Sequence, residues 1–259
     1  VLSYATGTPE RAALQAELAR QAGTAVELPL VIGGERVHTA ERLPLTAPHR
    51  HANVLARVSQ ADAALTHRAV DAALAAHRDW SRWPLEERAA VFLKAADLLA
   101  GPWRQRLNAA TMLGQSKTVH QAEIDAACEL ADFLRFNVQF AQEIVAQQPL
   151  SSPGTRNRTD HRPLEGFVYA VTPFNFTAIG GNLVAAPALL GNTVLWKPSA
   201  TAALSNHLFL ELLEEAGLPP GVVNFVPGDP AEVSAAALAS PHFAGLHFTG
   251  STAVFDRLW

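Results

Sequence analysis

Cysteine is almost absent from this sequence, since Cys128 is the only one among 259 residues. A single cysteine excludes an internal disulfide framework and cysteine-based zinc sites, and it is typical of a reducing compartment. Long apolar runs are also missing, because no stretch of about 18 uncharged apolar residues occurs. The first residues lack the basic and then apolar pattern of a secretory signal. We therefore expect a cytoplasmic protein without a membrane span.

Neither sign of charge dominates the sequence, which has 20 basic and 24 acidic residues and a net charge of −4. No basic run alternates with aromatic residues, so nothing indicates a nucleic-acid partner. The histidines offer no ligand spacing, since His49 and His51 lack a cysteine or carboxylate partner and no H-E-x-x-H occurs, and we expect no metal. With 49% hydrophobic residues, the chain is long enough for one large α/β domain or two smaller ones.

The first half of the chain predicts mainly helices. Residues 1–48 suggest an N-terminal arm, with a helix at 9–23 and a hairpin turn at Gly33 and Gly34. We expect helices to begin after Pro48, so residues 49–148 would form a helical part. It ends in a long helix, predicted for 119–147, which has no internal glycine or proline.

In the second half, the composition changes at residue 149 and the pattern of apolar residues changes at residue 166. Residues 149–165 are rich in Ser, Pro, Gly, Arg and Asn, which predicts a loop or a polar hairpin and the best domain boundary. From 166 to 259, short apolar strands alternate with helices. The strands are "GFVYAVTPF", "NTVLWKPS", "GVVNFVPG" and "GLHFTGS". This alternation predicts a parallel sheet covered by helices.

Ligands of open parallel sheets bind at the carboxyl ends of the strands, so the residues there are candidates. Gly250, Ser251 and Thr252 would stand at a helix start that suits a phosphate, although Gly-Ser is also an ordinary helix cap. Lys197 is one of three lysines and ends a strand. Its ammonium would reach ribose hydroxyls, or it is simply solvated. No G-x-G-x-x-G follows any strand, so the usual dinucleotide fingerprint is missing.

The segments "TPFNF", "WKPS", "GLPPGVVNFVPG" and "FTGST", in this order, resemble the aldehyde dehydrogenase superfamily. That family binds NAD(P) without the glycine fingerprint. More narrowly, "LGQSKTVHQAEIDAACELADFLRFN" and the run from Ser151 to Leu183 resemble the Δ1-pyrroline-5-carboxylate dehydrogenases. The resemblance covers essentially the whole chain. It implies an α/β fold in which N-terminal helices pack on a parallel, Rossmann-type NAD-binding sheet.

The resemblance also implies roles for individual residues. Asn175 would stabilise the oxyanion of the thiohemiacetal intermediate. Phe176 would form an apolar wall beside the aldehyde chain. Glu129 matches an acidic position near the aldehyde entrance, although a solvated helical carboxylate fits as well. The positions that would hold NAD are Thr172, Lys197, Ser199, Gly228, Gly250, Ser251, Thr252, Ala253 and Val254. Ala200 departs from the family, which often has an acidic ribose ligand there.

The implied reaction is NAD-dependent oxidation of L-glutamate γ-semialdehyde to L-glutamate in proline catabolism. The family's catalytic Cys and Glu follow "FTGS" well downstream, so we expect this chain to stop before the catalytic domain and to be inactive alone. Cys128 is not a substitute, because no basic residue lies within four positions of it. The alternatives are a non-catalytic NAD-binding or assembly module, or another aldehyde dehydrogenase.

Two expectations concern association. By the same resemblance, the polar segment 149–165 would pair with a neighbouring subunit, so the full-length enzyme would be a homo-oligomer. Without a catalytic domain, we expect the chain to expose an apolar patch larger than is usual for monomers, and therefore to associate.

Overall fold

The computed structural model describes all residues from 1 to 259, and it confirms the α/β class. Two sheets are present, one of six strands and one of three. The helices are α1 Pro9–Gly23, α2 Ala63–Trp80, α3 Leu85–Ala100, α4 Arg104–Gln115, α5 Val119–Ala122, α6 Leu130–Ala146, α7 Thr177–Leu189, α8 Ala203–Ala216, α9 Pro230–Leu238 and α10 Thr252–Leu258. The strands are β1 Val26–Leu28, β2 Leu30–Ile32, β3 Glu35–Val37, β4 Arg42–Ala47, β5 Arg50–Ser59, β6 Phe167–Val171, β7 Thr193–Lys197, β8 Val223–Phe225 and β9 Phe243–Phe248.

The large sheet has the order β3-β2-β8-β7-β6-β9. The four strands predicted in the second half are mutually parallel, as expected. The hairpin predicted at Gly33 and Gly34 is also confirmed, and both glycines have positive φ. Unexpectedly, this hairpin extends the sheet, because Val31 pairs with Phe225 in the antiparallel sense. Within the segment 1–48, the hairpin thus belongs to the large sheet and β1 and β4 belong to the small one, while the division of the chain into four segments stays a prediction.

Both faces of the large sheet are buried, because the pleat sends successive residues of a strand to opposite sides. In β7, Val194 and Trp196 join the larger core, which α3, α6, α7 and α8 complete. Leu195 lies in the second core, which α2 and α9 close. The near-continuous apolar reading of this strand follows from its burial on both sides.

The expectation that helices begin after Pro48 is wrong. Strands β4 and β5 form an antiparallel pair on either side of Pro48, and β1 adds to β5 in parallel. The pair is easy to miss, because the first three residues of each strand are exposed and neither strand has a regular alternation of buried and exposed positions. Helix α4 was not predicted either.

The long helical stretch predicted for 119–147 is confirmed over Val119–Ala146, with a difference inside it. Residues Glu123–Glu129 form a π-helical segment between α5 and α6. Such segments are rare and often occur at functional sites. Their wider turns change the direction in which later side chains point, and residue periodicity alone did not reveal this one.

Several large apolar side chains are exposed. Phe136, Phe140 and Ile144 lie along one side of α6, and the rings of the two phenylalanines stack. Association through such a surface stays a prediction, to be checked by light scattering. None of the helices combines the length and the apolar character that crossing a membrane requires.

Candidate functional site

The carboxyl ends of the parallel strands meet in one row. Thr172 N donates to Lys197 O at 3.3 Å, and Thr249 N donates to Val171 O at 3.2 Å. On the other side, Val226 N donates to Trp196 O at 2.8 Å. The residues predicted to follow each strand therefore lie along one edge of the sheet.

This edge contains a point where the chain reverses its direction of travel across the sheet. From β6 the chain proceeds through β7 to β8 on one side, and it then returns to place β9 on the other side of β6. In open α/β sheets, the loops that leave two such neighbouring strands, here β6 and β9, go to opposite faces and open a crevice between them. Ligands of open α/β sheets bind at such points.

Lys197 is a buried cation without a partner in the chain. Its exposed fraction is 8%, and its ammonium makes no hydrogen bond with any other residue. Burial lowers the pKa of Lys197, and the charge of Asp229 opposes that shift only in part. Most of the side chain is buried and its ammonium has no acceptor within the chain, so this side chain is suited to an oxygen-rich ligand.

The hydroxyl groups at this edge are partly engaged within the chain. Thr172 Oγ1 accepts a hydrogen bond from Trp196 Nε1 at 3.0 Å, which leaves its own proton free to donate. Ser199 Oγ lies 3.4 Å from Thr201 Oγ1 at the start of a short 3₁₀ turn. Their predicted contacts with a cofactor stay predictions.

Both predicted glycines have neighbours close to where a Cβ would lie. A Cβ on Gly228 would lie 2.6 Å from Ala61 O and 2.8 Å from Val233 Cγ2. A Cβ on Gly250 would lie 2.5 Å from the ring of Phe248. Close packing against the main chain therefore explains Gly228, while the contact at Gly250 is with the far end of the Phe248 ring, which can shift.

The turn at 250–254 is open to solvent. Ser251 caps α10, and its Oγ accepts from Val254 N at 3.4 Å, so the ordinary capping role is present. Ala253 and Val254 are exposed on the first turn of that helix. Beside it lies a shallow pocket of about 380 Å³, lined by Phe248, Thr249, Gly250, Thr252 and Phe255.

Asn175 and Phe176 stand between β6 and α7, and both are exposed. The amide of Asn175 makes no hydrogen bond within the chain, so its two N–H groups are free to donate. Phe174 on its other side is 63% exposed and Phe176 is 41% exposed. An amide donor flanked by two exposed rings matches the arrangement that the sequence predicts for an aldehyde site, while the roles themselves stay predictions.

Two residues beneath this loop were not predicted. Asp125 accepts hydrogen bonds from Thr177 N at 3.1 Å and from Ala178 N at 2.7 Å. Lys117 Nζ lies 2.5 Å from Asp125 Oδ2 and 4.2 Å from the centre of the Phe176 ring. A signal was available in the sequence, because Asp125 is a carboxylate within the small apolar run "IDAAC" and Lys117 is one of three lysines.

Glu129 and Cys128 close the π-helical segment. Glu129 is half-buried; burial and the nearby charge of Asp125 raise its pKa, while Lys117 opposes the shift. Its place near the aldehyde entrance stays a prediction. The local sequence offers Cys128 no basic neighbour, but in the structure Arg104 Nη2 lies 3.5 Å from its sulfur and the thiol is half-buried, while its lack of a catalytic role stays a prediction. That arginine comes from α4, which a search along the local sequence does not reach.

Comparison with known proteins agrees with this architecture. The chain is similar to the Δ1-pyrroline-5-carboxylate dehydrogenase of Agaricus bisporus, with 54% identity over all of this chain and 48% of that protein. It is 51% identical to the mitochondrial Δ1-pyrroline-5-carboxylate dehydrogenase of Mus musculus, again over the whole chain and 46% of that protein. The chain thus spans about half the length of the curated relatives it matches.

A solved structure extends the agreement to three dimensions. The Δ-pyrroline-5-carboxylate dehydrogenase of Mycobacterium tuberculosis, bound with NAD, superposes with a TM-score of 0.99 at 59% identity. The match covers 100% of this chain and 49% of that one. The sequence model of the aldehyde dehydrogenase family matches residues 36–258. The chain therefore belongs to the aldehyde dehydrogenase family.

Proposed function

We propose that this chain supplies the NAD-binding half and the oxyanion donor of a dehydrogenase that oxidises L-glutamate γ-semialdehyde to L-glutamate. The observation that carries the proposal is Lys197, a cation with 8% exposure and no partner in the chain, at the carboxyl edge of a parallel sheet. The relatives named as Δ1-pyrroline-5-carboxylate dehydrogenases, one of them bound with NAD, support the substrate and the cofactor.

The residues along the edge fit a dinucleotide in chemistry as well as in position. Lys197 would donate to ribose hydroxyls, which supply the acceptors that its ammonium lacks within the chain. Thr172 has a proton free to donate, and Gly250 and Ser251 lie across the crevice on the turn before α10. Bound NAD would supply the hydride acceptor of the reaction.

Asn175 would act on the carbonyl oxygen of the aldehyde. When a nucleophile adds to an aldehyde, that oxygen becomes an alkoxide, and a preorganised N–H aimed at it stabilises the transition state by about 3–4 kcal/mol. The amide of Asn175 has no competing partner in the chain, which keeps it available. Phe176 would exclude water from one side of the aldehyde.

The assembly and location of the protein are proposals of the same kind. We propose a homo-oligomer in which the exposed polar segment 149–165 contacts a neighbouring subunit, and a cytoplasmic location. The relative from Mus musculus is named mitochondrial, so fractionation of the source cells is the direct check on location.

The test is an activity assay on the protein expressed from its complete reading frame. We expect L-glutamate γ-semialdehyde to reduce NAD faster than other aldehydes do, and Asn175→Ala to lower kcat by about 10²–10³-fold. Asn53→Ala, on β5 and outside both the strand-end edge and the segment 149–165, is the matched control and should change nothing. Preference for a different aldehyde, or an active Asn175→Ala variant, would contradict the proposal. A reading frame without a downstream Cys and Glu would favour the non-catalytic module instead.

A further inference from the structure

The start of α7 is held by a carboxylate from a distant helix. Phe176, at the N-cap position, makes no side-chain cap. The first N–H groups of a helix have no partner inside it and need an acceptor from elsewhere. Asp125 provides it, with Oδ2 accepting from Thr177 N and Oδ1 from Ala178 N. Its exposed fraction is 2%, so water does not compete for these bonds.

Lys117 connects this carboxylate to the loop above it. Its ammonium pairs with Asp125 and also lies over the face of the Phe176 ring. A cation at that distance from a ring centre attracts the negative face of the ring. The ion pair therefore fixes the start of α7 from below and the ring of Phe176 from the side.

The same cluster extends under the helix start into a buried polar network. Thr177 Oγ1 lies 2.7 Å from Thr111 Oγ1 and accepts from Gln115 Nε2 at 2.8 Å. It also donates to Ser205 Oγ at 3.1 Å. Both the main chain and the side chain of Thr177 are thus anchored, and Asn175 is two residues before this anchor.

We propose that Asp125, held by Lys117, is a positioning residue that aims Asn175 and orients Phe176 at the aldehyde. This inference rests on the proposed function for its chemistry, and on the contacts above for its geometry. The contacts of these two residues are with the start of α7 and with the Phe176 ring. They act through the start of α7.

Kinetics of the protein expressed from its complete reading frame test the role. Asp125→Asn keeps the size of the side chain but loses its charge and one acceptor. We expect kcat to fall about 10- to 100-fold, the effect of a displacement near 1 Å at a reacting centre, with KM within about twofold. Lys117→Met should lower kcat less, and Lys117→Arg should restore it. Asp132→Asn and Lys94→Met, at exposed positions of α6 and α3, are the matched controls.

A double-mutant cycle separates positioning from a general loss of structure. If Asp125 acts mainly through Asn175, then most of the effect of Asp125→Asn on kcat should disappear once Asn175→Ala is present. Multiplied effects of the two substitutions would overturn the proposal. So would an Asp125→Asn variant with the kcat of the unchanged protein.

Hydrogen exchange gives a readout that does not depend on activity. In the 259-residue chain, Asp125→Asn should speed exchange of the Thr177 and Ala178 amides, while Asp132→Asn should leave them protected. If the unchanged protein oxidises no aldehyde, the proposed function fails, and this exchange result alone decides whether Asp125 holds the helix start. Unchanged exchange at both amides would overturn the inference.

Discussion

Glu123 and Lys197 are both charged side chains inside the protein, but only Glu123 has partners within the chain. Its carboxylate, with no exposed surface, accepts from Leu2 N at 2.6 Å, Tyr4 Oη at 2.8 Å and Asn108 Nδ2 at 2.9 Å. Arg104 forms an ion pair with it. Lys197 is nearly as buried and makes no such contact.

Glu123 is therefore a charge whose partners all come from the fold, whereas Lys197 is a charge whose ammonium is left without an acceptor in the chain. The Glu123 cluster ties the N-terminal residues and α4 to the π-helical segment, so its cost of burial is offset within the chain. Within the chain, Lys197 has only the partial opposing effect of the Asp229 charge and no hydrogen-bond acceptor. A buried charge of the second kind is a better pointer to a binding site than burial or a pKa shift alone.

Removing Glu123 should give the largest effect on stability. Glu123→Ala leaves Arg104 without its counter-ion and Leu2 N without its acceptor, and we expect the free energy of unfolding to fall by about 3–5 kcal/mol. Urea denaturation measures it. Glu35→Ala, which removes an exposed partner of Arg68, is the control and should cost at most about 1 kcal/mol. Equal losses of stability from the two substitutions would contradict the claim that the fold depends on the buried Glu123 cluster.

Lowering the pH should remove part of the same stabilisation, because it protonates Glu123. Burial by itself raises the pKa of Glu123, but the hydrogen bonds from Arg104, Leu2, Tyr4 and Asn108 outweigh it and bring the pKa from 4.5 down to about 2. The unfolded chain therefore binds this proton at a higher pH than the folded chain does. The stabilisation is complete above about pH 4.5 and is lost as the pH falls towards 2, by about 3 kcal/mol in all.

Denaturation over that pH range, compared between the unchanged protein and Glu123→Gln, isolates this contribution. The difference between the two curves should shrink as the pH falls. A second buried group must be kept apart from it: burial lowers the pKa of His207 from 6.5 to about 4, and its effect therefore begins at a higher pH. A constant difference across the range would contradict the assignment to Glu123.

Gly228, at the carboxyl edge of the sheet, could be a glycine for packing or for binding NAD, and a substitution separates the two roles. Gly228→Ala would place a methyl group against Ala61 O and Val233, and we expect a loss of about 1–3 kcal/mol. Gly23→Ala meets no atom within 4 Å and is the control. A variant of full stability with weakened NAD binding would show that the ligand, rather than packing, explains Gly228.

What the sequence predicted well was local. The apolar runs at 167–171 and 193–197 indicated buried parallel strands, and the Gly33-Gly34 pair indicated a hairpin, because each pattern lies within a few residues. The pairing of β2 with β8 joins residues almost 200 positions apart, and local pattern carries no information about it. Strand β5 was missed because half of it faces solvent.

In the candidate site, too, the local features were predicted from the sequence and the long-range contacts were not. The sequence was enough to identify Lys197, Thr172 and the 249–251 turn as candidates, because the strand ends of a parallel sheet meet at one edge. The contact of Asp125 with the start of α7 joins residues 52 positions apart in the sequence. It also depends on a π-helical turn, which the spacing of apolar residues does not reveal. Arg104 beside Cys128 was missed for the same reason.

The most direct test of the account is isothermal titration of the 259-residue chain with NAD, alongside Lys197→Ala and Lys94→Ala. Because a hydrogen bond from a charged group contributes about 1.5–3 kcal/mol, we expect Lys197→Ala to weaken binding by about ten- to a hundredfold. Lys94→Ala, at an exposed position of α3, should bind as the unchanged chain does. Equal affinity for NAD in all three proteins would contradict the claim that the buried, unpartnered charge of Lys197 marks the nucleotide site.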